Sequence, residues 1–353
     1  MCAFHHPSFD GHESVTYAHD PAVGLTAIIA IHSRALGPAA GGCRMAAYPS
    51  TDAALNDVLR LSRGMTYKNA MAGLALGGGK SVIIGDPATA KTPALLEAYA
   101  RAVDRLGGAY YAAEDMGIGA QDVHVMGKVT RFVAGRPEGS AASGDPSPVT
   151  ARGVFLGIRL AVRRALGRDD LAGIRVAVQG LGNVGFSLCR KLRAAGADLV
   201  VADVRRAAVD AAVAELGAIP VSTDEIFDAA VDVFAPCAGG AILTGQTVGR
   251  LNARIVAGAA NNQLLDDACG QALRDRGILY LPDYVINGGG IINVAAEIAG
   301  RYDPSWVEHK LQRLMTTLDE VVGEAGRSGL PTNIVADRMA ERRIASARQR
   351  QAA

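Results

Sequence analysis

Between Ile174 and Asp203 two short apolar runs flank a glycine triplet, and this stretch constrains the fold more than any other. Ile174-Arg175-Val176-Ala177-Val178 has the length and branching of a buried strand. Gly180-Leu181-Gly182-Asn183-Val184-Gly185 follows at once, residues 186–195 read as a helix, and a second apolar run, Leu199-Val200-Val201-Ala202, ends at Asp203. Strand, Gly-x-Gly-x-x-Gly, helix, strand, acid is the order of a dinucleotide site. The first glycine permits a tight turn, the second lets a pyrophosphate approach the backbone, and the third lets helix close on strand. The helix N-terminus then turns free N–H groups toward the phosphates. Asp203 stands 23 positions after Gly180, near the spacing such a site requires. A carboxylate there accepts from a ribose 2′-hydroxyl and repels a 2′-phosphate, which favours NAD over NADP. Arg205 and Arg206, directly behind it, leave dual use open. Residues 231–235, 254–258 and 277–281 read as further strands, so this half is a Rossmann-type, doubly wound α/β sheet.

The other half carries two lysines, twelve residues apart and framed by glycines: Lys68, between Gly64 and Gly73, and Lys80, after Gly77-Gly78-Gly79. A lysine held against apolar backbone loses hydration, and a second ammonium nearby adds repulsion; both lower a lysine pKa. One lysine can then stay charged and hold a carboxylate while the other serves as a base near neutral pH. Two solvated surface lysines are the other reading of the same spacing.

The length, 353 residues with 49% hydrophobic content, calls for more than one core. Residues 135–148 are rich in glycine, proline and serine and read as the linker. The expected division is a first α/β domain over residues 1–140, an NAD-binding domain over 141–330, and a C-terminal helical tail over 331–353. Before the linker, residues 15–20 and 24–32 read as strands about the Asp20-Pro21 turn. A helix capped by Ser50 or Thr51 runs toward Lys68, Lys80 opens a strand through Ile84, residues 93–106 form a helix, and residues 110–113 form a strand ending at Glu114-Asp115. A net charge of +1 offers no field for nucleic acid or anionic membrane. The longest apolar run, Leu25 to Ile31, is too short to span a bilayer. Five scattered cysteines without a C-x-x-C pair fit a reduced, cytoplasmic chain, and the polar opening residues are read as carrying no secretory signal. The seven histidines show no metal spacing, so no metal is expected, and His5, His6 and His12 read as a mobile N-terminus.

Several stretches together resemble the glutamate/leucine/phenylalanine/valine dehydrogenase family, with the leucine-specific members the nearest match. They are Gly37-Pro38-Ala39-Ala40-Gly41-Gly42-Cys43-Arg44-Met45, the two lysine segments, Ala113-Glu114-Asp115-Met116-Gly117, residues 144–150, the glycine triplet, Phe234-Ala235-Pro236-Cys237-Ala238, residues 259–264, and residues 282–290. The resemblance runs nearly end to end. It implies reversible oxidation of an L-amino acid to its 2-oxo acid and ammonia, with hydride passing to NAD, in a homo-oligomer. Lys80 and Asp115 would be catalytic: Lys80 orients or deprotonates the attacking water, and Asp115 shuttles protons. Lys68 and Asn262 would hold the substrate carboxylate, alongside Gly41 and Gly42. Thr150 would reach the nicotinamide carboxamide. Gly180, Leu181, Gly182, Asn183, Val184 and Gly185 would hold the pyrophosphate, and Asp203 the ribose.

The resemblance also implies a side-chain pocket of Ala40, Ala113, Ile291 and Val294, all apolar. Glutamate-specific members place a lysine at position 40. With alanine there, a second buried carboxylate lacks a partner. Leucine-specific members resemble this chain with leucine at that position, so Ala40 is a departure that widens the pocket. Branched-chain substrates are the first expectation and phenylalanine the alternative.

Overall fold

Alternating side chains from Ser14 onward build a mixed sheet whose two faces meet different helices. The structure is a computed structural model and describes residues 3–136, 138, 142–300 and 302–352. Strand β1 (Ser14–Asp20) turns at Asp20, whose carboxylate accepts from the Ala22 N–H at 3.1 Å, and runs antiparallel to β2 (Leu25–Ser33). Then come β3 (Ala39–Ala46), α1 (Thr51–Met71), β4 (Gly77–Ile84), α2 (Pro93–Asp104), β5 (Tyr110–Ala113) and α3 (Ala120–Gly127). The Ser50 hydroxyl caps α1 by accepting from the Ala53 N–H at 3.1 Å. The sheet order is β1-β2-β4-β3-β5, with β3 parallel to both β4 and β5. On one face Ile28, Ala30 and Val82 pack against Leu55, Val58 and Leu59 of α1. On the other, Ile29, Cys43, Met45 and Ile83 pack with Leu95, Tyr99 and Met126 of α2 and α3.

After the linker, α4 (Ser147–Leu166) leads into β6 (Arg175–Gln179), α5 (Asn183–Ala194), β7 (Asp198–Ala202), α6 (Arg206–Leu216), β8 (Ile219–Pro220), β9 (Val233–Pro236), α7 (Gly245–Arg250), β10 (Ile255–Val256), α8 (Asp267–Asp275), β11 (Leu279–Tyr280) and α9 (Asp283–Ile286). All six strands are parallel, in the order β11-β10-β9-β6-β7-β8. The order reverses between β6 and β9, the topological switch that leaves a crevice beyond the strand ends. The C-terminal part is helical: α10 (Gly289–Ile298), α11 (Pro304–Ser328) and α12 (Thr332–Ala352), with Pro331 in the break.

The linear division expected from sequence does not hold. The chain up to Pro146, residues 291–308 and the stretch from Ala340 onward form one unit; Ser147–Gly290 and His309–Met339 form the other. The tail therefore does not stand apart, and the expected boundary at 140/141 lies outside the described residues. The breaker-rich segment is not a free tether either. The buried Glu297 carboxylate on α10 accepts from the backbone N–H groups of Gly135 and Ser143, at 2.9 and 3.0 Å, and from the Ser143 hydroxyl at 2.6 Å. The N-terminal histidines also differ from expectation. His6 and His12 are buried, and the His12 ring sits against the Leu59 carbonyl and the Ser62 hydroxyl, at 3.1 and 3.0 Å. Among the described residues no helix is long and apolar enough to cross a membrane.

Candidate active site

Strand alternation brings four of the expected substrate-side residues, Ala40, Gly42, Lys80 and Ala113, to one face of the first sheet. Ala39, Cys43 and Met45 of β3 enter the core under α2 and α3, so Ala40, Gly42 and Arg44 face the opposite way. Gly42 is in register with Ala113 on β5, and the neighbouring pair Cys43 and Ser81 aligns Gly42 with Lys80 on β4. Lys80 is 6% exposed, and its Nζ donates to Oδ2 of Asp115, just beyond β5. Its observed partner is thus the carboxylate expected to share the catalytic work. Lys80 also sits mid-strand rather than at the strand opening, since β4 already begins at Gly77. Lys68 leaves the last turn of α1 and is half-buried. That helix packs on β4 so closely that a Cβ on Gly78 would collide with Thr66.

Burial pushes the Asp115 carboxyl up, but the Lys80 ammonium and the Arg44 guanidinium overcome this and hold it below the usual carboxylate range. The Met116 N–H adds to the effect, donating to Asp115 Oδ1 at 2.6 Å. Behind this pair lies a buried hydroxyl cluster: Ser81 Oγ is 2.6 Å from Tyr99 OH and 3.1 Å from Tyr110 OH, and Tyr110 donates to the Gly41 carbonyl at 2.8 Å. This ties the glycine backbone of β3 to the strand that carries Lys80. Ala40 and Ala113 are buried, as are Ile291 and Val294, three positions apart on α10. Burial and the nearby Asp145 carboxylate raise the Glu114 pKa.

In the second unit each glycine of the triplet has a separate geometric reason. Gly180 has φ +99°, and a Cβ there would lie 2.7 Å from that of Ala238. A Cβ on Gly182 would meet only open space, which leaves the loop backbone approachable. A Cβ on Gly185 would collide with the Gly180 carbonyl, so only glycine lets α5 sit on β6. Leu181 is buried, and Asn183 and Val184 begin α5, whose N-terminus follows directly. Asp203 stands just past β7 with its side chain 8% exposed, accepting from the Leu181 N–H at 2.6 Å and the Arg205 N–H at 2.8 Å. Burial opposes its charge; Arg205 and the Leu181 N–H outweigh that and lower its pKa. Arg205 lies 3.2 Å from Asp203, and Arg206 turns along its own helix to Asp210 at 2.8 Å. Thr150 is half-buried in the first turn of α4, where a Cβ on Gly289 would be 2.9 Å from the Thr150 Cα. Asn262 holds a left-handed φ of 52°, fixed by its N–H to Asp283 at 2.6 Å and its carbonyl to the Ala241 N–H at 2.6 Å.

Sequence reasoning missed the groups around Arg44. It quoted the arginine within a motif and gave it no role, while Asp57 and Tyr48, its neighbours in the fold, carried no spacing signal at all. The hydroxyl cluster of Ser81, Tyr99 and Tyr110 escaped for the same reason: three polar side chains meet only once the strands are paired.

Family models match both halves of the chain: Glu/Leu/Phe/Val dehydrogenase, dimerisation domain, over residues 12–132, and Glutamate/Leucine/Phenylalanine/Valine dehydrogenase over residues 202–352. The leucine dehydrogenase of Bacillus cereus is 47% identical over 95% of this chain and 91% of its own length. The chain belongs to the glutamate/leucine/phenylalanine/valine dehydrogenase family. It is an oxidoreductase, an amino-acid dehydrogenase. The phenylalanine dehydrogenase of Bacillus thermotolerans is 43% identical over 94% of this chain and 88% of its own. The crystal structure of L-tryptophan dehydrogenase from Nostoc punctiforme matches with a TM-score of 0.81 at 44% identity, covering 96% of this dehydrogenase and 97% of that chain.

Proposed function

We propose that this dehydrogenase catalyses the reversible, NAD-dependent oxidative deamination of an apolar L-amino acid, leucine and its branched relatives first. The observation that carries the reading is the buried Lys80–Asp115 pair on the sheet face that also holds Gly42, Ala40 and Ala113. Lys68 binds the substrate carboxylate as a point charge, with the backbone of Gly41 and Gly42 beneath it. Asp115 takes a proton from the substrate ammonium. NAD, when bound, supplies the redox chemistry by accepting the Cα hydride. Lys80 deprotonates the water that adds to the resulting iminium carbon, and Asp115 returns a proton to the departing amine. In sum, amino acid, water and NAD become 2-oxo acid, ammonium, NADH and a proton.

The fit for NAD rests on the glycine loop: open space at Gly182, the close approach at Gly185, and a helix N-terminus beyond. Gly180 to Gly185 hold the pyrophosphate. Asp203 accepts from the adenine ribose. Arg205 and Arg206 both have carboxylate partners already, so a 2′-phosphate would have to displace an ion pair as well as face Asp203. Thr150 and Asn262 are assigned to the nicotinamide carboxamide and the substrate carboxylate beside it.

Ala40, Ala113, Ile291 and Val294 line the side-chain pocket. None offers a charge, so a glutamate side chain would be buried unpaired. The small Ala40 supports phenylalanine as the second reading. The enzyme works in the cytoplasm as a homo-oligomer, supported by free thiols at Cys43, Cys189, Cys237 and Cys269 and by the dimerisation-domain match. The test is to mix the protein with NAD and L-leucine at alkaline pH. NADH and ammonia should form in equal amounts; neither forming with any amino acid would overturn the reading.

A further inference from the structure

Asp115 has a second cation besides Lys80. Arg44 Nη2 stands 3.7 Å from Asp115 Oδ1. Arg44 is held from its other side: Nη1 donates to Asp57 Oδ2 at 2.9 Å, and Tyr48 OH donates to the same oxygen at 2.6 Å. The Arg44 side chain is 20% exposed and its Nε is buried without a partner. Among the described groups beside Asp115, Cys43, Tyr110 and Glu114 are pushed toward neutrality. Burial raises Cys43 to about 11 and takes Tyr110 far above its ordinary range, and Glu114 is raised by burial and by the negative charge of Asp145. Four charges thus stand in alternating sequence, Asp57, Arg44, Asp115 and Lys80, and they sum to zero.

The order has a chemical consequence. A guanidinium keeps its charge at any working pH, whereas an ammonium can lose its proton. When Lys80 gives up its proton and so becomes able to act as a base, Asp115 loses one of its two counter-charges. Without the other it would be a buried carboxylate with no cation, and would itself capture the proton. The anchorage on Asp57 and Tyr48 keeps the guanidinium from swinging into that gap or out to solvent.

We propose that Arg44 is a positioning residue of the active site: anchored by Asp57 and Tyr48, it is the fixed counter-charge that keeps Asp115 ionised and facing Lys80 once Lys80 has lost its proton, until Asp115 takes one from the substrate ammonium. This rests on the roles given above to Lys80 and Asp115.

The alternation predicts opposite signs for neighbouring changes. Removing the positive charge makes the Lys80–Asp115 pair hold its proton to higher pH; removing the negative charge of Asp57 does the reverse. The experiment is kcat/KM for L-leucine against pH, with saturating NAD, for the parent, Arg44→Gln, Arg44→Lys and Asp57→Asn, with thermal unfolding as the check on folding. In Arg44→Gln the acid limb should move alkaline by roughly one pH unit, the effect of one charge at this range, with kcat falling more than KM changes. Arg44→Lys should fall between parent and Arg44→Gln, and Asp57→Asn should move the limb toward acid. If Arg44→Gln does not fold, the other two variants decide by the same signs. A profile left in place while only the melting temperature drops would make Arg44 a structural salt bridge and overturn the proposal, as would shifts of the same sign in Arg44→Gln and Asp57→Asn. A parent that oxidises no amino acid defeats the assigned reaction instead, and that is seen before any variant is made.

Discussion

Gly42 and Asp115 stand closer than any side chain on Gly42 would permit. A Cβ at Gly42 would lie 2.7 Å from the Asp115 Cβ and 3.1 Å from the Lys80 Nζ. The glycine is therefore a condition for the ion pair, and its reason is the neighbouring strand rather than its own φ. Gly42→Ala should push Asp115 off Lys80 and lower kcat by about two orders of magnitude, as small displacements of catalytic groups do. The protein should still fold, with overpacking costing about 1–3 kcal/mol. Steady-state turnover and thermal unfolding on the same sample separate the two effects.

Lys80→Ala removes the assigned base and leaves the second unit untouched. Turnover should fall ~10²–10⁴-fold, while NADH binding, read by its fluorescence, stays within a small factor of the parent. Activity near the parent level would remove Lys80 from the mechanism.

Asp203 makes the cofactor prediction. Its carboxylate lies between the Leu181 N–H and Arg205, at 2.6 and 3.2 Å. NAD should be strongly preferred over NADP in kcat/KM, and Asp203→Ser should narrow the ratio by freeing Arg205 for a phosphate. Equal use of both cofactors by the parent would mean that Arg205 outweighs Asp203.

The buried histidines give a pH dependence of stability. Burial lowers the His32 pKa from its ordinary 6.5 to about 4, with the neighbouring His12 adding to the effect against Asp10. A base whose pKa is lower in the folded state binds fewer protons there than when unfolded. Its contribution is therefore complete above 6.5 and drains as pH falls through 6.5 toward about 4, up to roughly 3 kcal/mol for one such shift. The melting temperature should fall across that window, and His32→Gln should flatten the fall. An equal slope in both proteins would assign acid sensitivity to other groups.

The second sheet was largely legible in the sequence. Its strands are continuous apolar runs and its loop needs three glycines at fixed offsets, so local pattern and fold agree. The first sheet was legible only in part. Strand β3 was not assigned at all: it contains Gly41 and Gly42, poor strand formers, and it becomes a strand because β4 and β5 pair with it on either side. The partner of Lys80 was hidden for a related reason. Asp115 is 35 residues away, and only the parallel register brings it across. The return of α10 and of α12 from Ala340 onward to the first unit had no local signal, because an amphipathic helix does not say which core its apolar face will meet.

Ala40 tests the pocket. It is 1% exposed beside the register pair Gly42 and Ala113. Ala40→Leu should lower kcat/KM for phenylalanine more than for leucine, because added volume crowds the longer side chain first; a few methylenes correspond to ~1–3 kcal/mol each. An unchanged ratio would place Ala40 outside the pocket.

The most direct measurement of the central claim is kcat/KM with NAD for leucine, valine, isoleucine, phenylalanine, tryptophan and glutamate on the unmodified protein. An uncharged pocket around a Lys80–Asp115 centre predicts that leucine and its branched relatives lead, that phenylalanine is accepted, and that glutamate is barely turned over. Glutamate as the best substrate would contradict the apolar pocket, and no turnover of any of the six would contradict the assigned reaction itself.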